Sequence, residues 1–174
     1  MIIICDGFDK TGKSSLSQYI ANKIGFQYKH TLLSYNKNLL HEYLNILERY
    51  PTDIVIDRFY FTELVYGKVV CRNIRLSDND IIILEEKLKQ LNPLFVHFFA
   101  DIEIVKTRYK NEKNKYVPDE MIIDCLNEYQ NLFNRAKSKS FNVYEFNSGL
   151  SSEVQLKAVD ELLATIVKLR EGKH

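Results

Sequence analysis

The sequence predicts an α/β fold in three layers, a parallel sheet with helices on both faces. Three observations predict it. Short unbroken apolar runs at residues 1–5, 54–56 and 94–99 alternate with longer stretches of helical periodicity. Strands that are apolar throughout are buried on both sides, which requires helices above and below the sheet. A glycine-bearing turn also separates the first apolar run from the first helical stretch.

The elements follow in order from pattern. Residues 1–5 form a strand and 6–13 a turn. Leu16, Ile20 and Ile24 share one face of a helix over 13–24. Leu39, Leu40, Tyr43, Leu44 and Leu47 mark a second amphipathic helix, which stops near Pro51. Ile54-Val55-Ile56 is a short apolar strand, and a helix follows Asp57, running through Leu64 and Val65 towards Cys71. A helix over Ile81–Leu91 is closed by Asn92-Pro93, because proline cannot continue the hydrogen-bond ladder. Leu94–Phe99 is the third apolar strand, and Ile102, Val105 and Tyr109 place a helix after it. Met121–Ala136 reads as helix, Phe141–Phe146 as strand and 151–170 as the terminal helix.

With 174 residues, three prolines, six glycines and no repeat or linker, the chain reads as one domain over 1–174. A formal net charge of +1 provides no broad field for nucleic acid or an anionic membrane, so nucleic-acid binding is not expected. No window approaches a membrane span, and the opening apolar run is too short for a signal peptide. The expectation is a soluble, cytoplasmic protein without membrane contact. Cys5, Cys71 and Cys125 are isolated thiols, and His30, His41, His97 and His174 lack metal-ligand spacing.

In an open parallel sheet, ligands gather beyond the carboxyl ends of the strands. That rule brings Asp6–Ser15, Asp57-Arg58, Ala100-Asp101 and Asn147–Leu150 to one edge. Gly7-Phe8-Asp9-Lys10-Thr11-Gly12-Lys13-Ser14 on that edge matches G-x-x-x-x-G-K-[ST]. The glycines let the backbone wrap with its N–H groups inward, and the helix start adds a positive end. In this motif Lys13 reaches the β- and γ-phosphates and the Ser14 hydroxyl holds Mg²⁺. Gly7, Lys10, Thr11, Gly12, Lys13, Ser14 and Ser15 are therefore candidate ATP-binding residues, in the setting of a P-loop NTPase fold.

Gly-Phe-Asp-Lys-Thr-Gly-Lys-Ser-Ser, with Asp9 inside the loop, resembles the phosphate loop of thymidylate kinases and related deoxynucleoside monophosphate kinases. Ile54-Val55-Ile56-Asp57-Arg58-Phe59-Tyr60-Phe61-Thr62, with Tyr66, resembles the family's strand, its Asp-Arg-Tyr and a later aromatic. Pro93–Phe99 followed by Arg108 resembles the strand and helix leading to the lid, and Asn147–Ser151 the adenine-side loop. The resemblance implies an ATP-dependent kinase whose acceptor is a small nucleotide, dTMP or a related pyrimidine monophosphate. It implies that Asp9 binds the acceptor's sugar hydroxyl or orients the acceptor. It implies that Asp57 helps hold Mg²⁺ and that Arg58 clamps the acceptor phosphate, a task suited to a guanidinium fork. Phe59 and Tyr66 are candidate substrate-binding aromatics. Lys13, Asp9, Arg58 and Arg108 are the candidate catalytic residues. Arg108–Lys115 carries four cations and suits a lid over ATP phosphates, with the lid segment around 108–118. Lys10 stands where some relatives place a catalytic arginine. Family members pair as homodimers, and the apolar faces of 39–47 and 59–70 are available either for that or for core.

The chain departs from the family after Phe26. Residues 26–38 read FQYKHTLLSYNKN, without the Arg-Glu-Pro segment that helps bind the acceptor, which leaves the base open. Two alternatives remain on the sequence: a deoxynucleoside kinase acting on a 5′-hydroxyl, with Asp9 as base candidate, and a kinase acting on nucleotides in DNA.

Overall fold

The computed structural model describes residues 1–31, 38–70, 73–110 and 116–172 of the chain. Cys71, His174 and the cations Lys113 and Lys115 of the expected lid lie outside the described residues. The chain runs β1 (Ile2–Gly7), α1 (Lys13–Ile24), β2 (Gln27–His30), α2 (Leu39–Arg49), β3 (Ile54–Asp57), α3 (Tyr60–Val69) and α4 (Asp78–Leu91). It continues through β4 (Leu94–Phe99), α5 (Ile102–Lys110), a single 3-10 turn (Asp119–Met121), α6 (Ile122–Ser138), β5 (Asn142–Asn147) and α7 (Ser152–Glu171). The strands form one parallel sheet in the order β2-β3-β1-β4-β5. The expected α/β sandwich is therefore the observed fold.

Strand periodicity sorts the core into two layers. Ile2, Ile4, Ile54, Ile56 and Phe95 face α2, α3, α4, α5 and α6. Ile3, Cys5, Val55, Val96 and Phe98 face α1 and α7. All six residues of β1 are buried, so each isoleucine contributes about 1.5–3 kcal/mol of burial. An apolar run without alternation was the correct signature of this central strand.

Local chemistry sets the ends. Gly25, in the left-handed region at φ +72°, ends α1 and donates its N–H to the Ala21 carbonyl. Ser77 and Asp80 cap each other's backbone at the start of α4, three residues earlier than the apolar pattern suggests. Two further boundaries differ from the sequence reading. β1 continues through Asp6 and Gly7 rather than turning at residue 6. A fifth strand, β2, occupies Gln27–His30, where the sequence offered no apolar run. β2 is an edge strand with an exposed, half-buried alternation over four residues, so it carries no hydrophobic signal. Among the described residues, no helix is long and apolar enough to cross a membrane.

Candidate active site

The phosphate loop is built by three backbone constraints. At Gly7, φ is +146° and a Cβ would lie 2.1 Å from the Phe98 carbonyl oxygen on β4, so only glycine lets β1 leave the sheet here. Lys10 and Gly12 are both left-handed, at φ +64° and +73°, and curl the loop before α1 begins at Lys13. Thr11 Oγ1 donates to the Phe8 carbonyl at 2.7 Å and closes the curl from within.

Asp6 ties this loop to the next site segment. It is fully buried and accepts four hydrogen bonds, from Gly7 N (3.0 Å), Phe59 N (3.1 Å), Thr62 N (3.2 Å) and Thr62 Oγ1 (2.6 Å). Burial pushes its carboxyl above the usual range, against the pull of Thr62 and Lys13. One carboxylate thus holds the exit of β1 against the start of α3. Asp6 stands in the sequence only as the residue before a glycine, and three of its four hydrogen bonds come from Phe59 and Thr62, more than fifty residues away.

Asp57 ends β3 with its side chain fully buried. Its Oδ1 lies 3.7 Å from Lys13 Nζ and has no hydrogen-bond partner. Its Oδ2 accepts from Tyr28 Oη and meets His30 Nδ1, both at 2.8 Å. Burial alone would raise this carboxyl, yet Lys13, Ser14, His30 and Tyr28 outweigh it and hold it below the ordinary carboxylate range. Tyr28 and His30 were not candidates from sequence, because the strand that carries them was not legible.

Arg58 follows at φ +68°, an uncommon conformation for a residue with a side chain. The surroundings fix it: Arg58 N donates to the Cys5 carbonyl at 2.9 Å, and Thr31 Oγ1 donates to the Arg58 carbonyl at 2.6 Å. Arg58 Nη2 donates to Asp9 Oδ1 at 2.5 Å, and Tyr66 Oη donates to Asp9 Oδ2 at 2.8 Å. Arg58 Nε is buried without a hydrogen-bond partner. Strain held by several bonds, plus an unspent donor, is a pattern found at ligand sites.

These groups surround a cavity of about 390 Å3 lined by Asp9, Lys10, Gly12, Lys13, Ser14, Ser15, Arg58, Tyr109 and Tyr116. The structure therefore gathers Asp9, Lys10, Gly12, Lys13, Ser14, Ser15 and Arg58 from the sequence candidates. Tyr109 was read only as a helix face; its hydroxyl accepts from Val117 N at 3.0 Å, pinning Val117 to α5. Phe59 lies elsewhere, 1% exposed and packed against Tyr43 and Tyr60. Tyr66 is likewise buried, and reaches the site through its bond to Asp9.

A second cavity of about 470 Å3 adjoins the loop, lined by Thr11, Gly12, Ser15, Leu16, Tyr19 and Phe146, by Ser148 of the 147–151 loop, and by residues of α7. Arg108 links the two cavities. Its Nη1 donates to the Lys10 carbonyl (3.2 Å) and Ser148 Oγ (3.3 Å), and its Nη2 to the Ser148 carbonyl (2.8 Å). Lys10 lines the first cavity and Ser148 the second.

No protein-family model matches the chain. Its architecture is the P-loop kinase fold, shared with solved deoxyadenosine, gluconate and thymidylate kinases. The chain is 24% identical over 174 residues to the SPβ prophage-derived uncharacterized protein YorR of Bacillus subtilis, covering 98% of this chain and 99% of YorR. The YorR crystal structure, in complex with phosphorylated GDP, superposes with a TM-score of 0.77 at 23% identity, over 100% of this chain and 98% of that one. Deoxyadenosine kinase from M. mycoides with bound dCTP gives 0.63 at 14% identity, over 95% and 100%. Thymidylate kinase from Candida albicans gives 0.58 at 11% identity, over 99% and 91%.

Proposed function

We propose that the protein is a phosphotransferase that moves the terminal phosphate of ATP to a (deoxy)nucleoside monophosphate. One observation carries the reading: Lys13, with Asp57 3.7 Å away, shares a cavity with the Arg58–Asp9 pair. Such a site pairs a donor-phosphate cradle with a guanidinium fork, and phosphoryl transfer depends mainly on placed cations.

In this reading the loop N–H groups, the start of α1 and Lys13 take the donor phosphates. The second cavity, with Leu16, Tyr19 and Phe146, takes the donor's base. Arg108, bonded to one residue from each cavity, is the cation for the phosphates joining them. Arg58 receives the acceptor's phosphate, and Asp9, oriented by Arg58 and Tyr66, meets its sugar.

Mg²⁺ fits the residues present. Ser14 and Asp57 would hold it, largely through water, and the buried, unpartnered Asp57 Oδ1 beside the loop supports this. Among the described residues no cluster of three His, Cys, Asp or Glu side chains forms a cage, which suits a cation carried mainly by phosphates and water. When bound, the ion neutralises charge on the phosphates.

Asp9 also supports a second reading, a deoxynucleoside kinase, because it is a carboxylate on the cavity wall that can serve as base to a 5′-hydroxyl. A transfer panel over nucleosides and monophosphates with Mg²⁺-ATP separates the two. The resemblance to thymidylate kinases puts dTMP and its relatives first in the panel, and the similarity to YorR adds guanine nucleotides. Transfer to monophosphates, lost in Lys13→Ala, is the expected result; turnover of nucleosides alone would sink the first reading.

A further inference from the structure

We propose that Tyr28 and His30, on the edge strand β2, are positioning residues that hold the Asp57 carboxylate off Lys13. The proposal rests on the phosphotransferase reading and extends it to residues outside the phosphate loop and the Asp57-Arg58 segment.

The starting point is an ion pair that does not close. Lys13 and Asp57 are both buried, yet Nζ and Oδ1 stand 3.7 Å apart. A buried ammonium and carboxylate left to themselves close to about 2.7–2.9 Å, where a charge-assisted hydrogen bond forms. Here the carboxylate is held from its other end. Tyr28 Oη and His30 Nδ1 converge on Oδ2 at 2.8 Å each. Facing an ionised carboxylate, the His30 nitrogen carries the proton and donates. Two donors on one oxygen fix the rotation of the carboxylate and leave Oδ1 as the unpartnered atom.

The strand geometry shows how β2 delivers both groups. It lies parallel to β3, with His30 in register with Asp57. Residues two apart share one face of a strand, so Tyr28 and His30 project together while Gln27 and Lys29 are exposed. β2 gives the hydrophobic core only the half-buried ring of Tyr28, and its two inward side chains both meet this one carboxylate.

The consequence is chemical. A closed Lys13–Asp57 pair would occupy one of the lysine's three donors and the carboxylate's free oxygen together. Held apart, Lys13 keeps its donors for phosphate, and Oδ1 stays available to a hydrated cation. Outer partners of this type orient metal ligands, and their loss typically costs about 10–100-fold in metal affinity.

The test compares wild type with a Tyr28→Phe/His30→Ala double variant and with His30→Asn, whose amide can replace the Nδ1–H. The first readout is equilibrium binding of a non-transferable ATP analogue with and without Mg²⁺. The Mg²⁺ enhancement of binding should fall about 10–100-fold in the double variant and be largely kept in His30→Asn. In steady-state kinetics the Mg²⁺ needed for half-maximal rate should rise while the acceptor KM holds. An unchanged Mg²⁺ enhancement in the double variant, or a defect confined to acceptor KM, overturns the proposal. If the double variant does not fold, Tyr28→Phe alone decides: a reduced enhancement supports the tether and a wild-type value overturns it. Wild-type protein that binds the Mg²⁺-analogue complex but transfers no phosphate would refute the phosphotransferase reading while leaving the tether testable. Wild-type protein with no Mg²⁺ enhancement would overturn the tether itself.

Discussion

Arg58 offers the sharpest test of the acceptor side. Replacing it with lysine keeps a positive charge but removes the planar fork and its Nε donor, which is buried without a hydrogen-bond partner. A hydrogen bond to a charged group contributes about 1.5–3 kcal/mol, and about 1.4 kcal/mol is a factor of ten. Losing one such bond to the acceptor phosphate therefore lowers acceptor kcat/KM by roughly 10–100-fold in Arg58→Lys. Arg58→Ala loses the charge as well and should fall further, while the donor KM stays near wild type. Backbone conformation supplies the control. At φ +68° a Cβ is strained, so Arg58→Gly should be more stable than Arg58→Ala by about 1 kcal/mol without recovering activity. The assay is steady-state kinetics with donor and acceptor varied separately, beside urea denaturation of each variant. Wild-type acceptor kinetics in a folded Arg58→Ala protein would refute the assignment.

Other outcomes follow from the same geometry. Gly7→Ala drives a Cβ to 2.1 Å from the Phe98 carbonyl oxygen and should destabilise the fold by about 3 kcal/mol or more, read from the urea midpoint. Asp6→Asn turns one acceptor into a donor among four donors and should cost about 2 kcal/mol, with Thr62→Ala less harmful. His97 is buried and stacked on Phe133 at 4.1 Å, and burial pushes its pKa down to about 4, opposed by Glu145 and aided by Lys137. The unfolded chain then binds a proton that the folded chain refuses, so stability is complete above about pH 6.5 and falls as pH drops towards 4, by about 3 kcal/mol. Urea unfolding at pH 4.5 and 7 should show that loss in wild type and a smaller one in His97→Leu; equal slopes would contradict it.

The legible parts of this protein were those written in contiguous residues. β1, β3 and β4 announced themselves as apolar runs because each is buried on both faces. The phosphate loop was legible because its requirements are backbone requirements: glycine at Gly7 and Gly12, then a helix start at Lys13-Ser14. Asp9 and Arg58 were found by their positions beside such signals. β2 stayed hidden because an edge strand of four residues needs no hydrophobic pattern, and with it Tyr28 and His30. Asp6 was overlooked for a related reason, since three of its four hydrogen bonds are made with Phe59 and Thr62, distant along the chain.

The sequence by itself determined the layers of the fold, the phosphate-loop motif and the edge of the sheet where the candidate site lies. Propensity, periodicity and glycine stereochemistry act over a few residues, so one sequence suffices to read them. Only the tertiary structure decided which side chains meet: Arg58 with Asp9 and Tyr66, Asp57 with Tyr28 and His30, Arg108 with the carbonyls of Lys10 and Ser148. Those contacts depend on the order β2-β3-β1-β4-β5, which sets strands distant in sequence side by side. The candidate phosphate loop was written locally in the chain; the side chains that meet around it were brought together by the sheet.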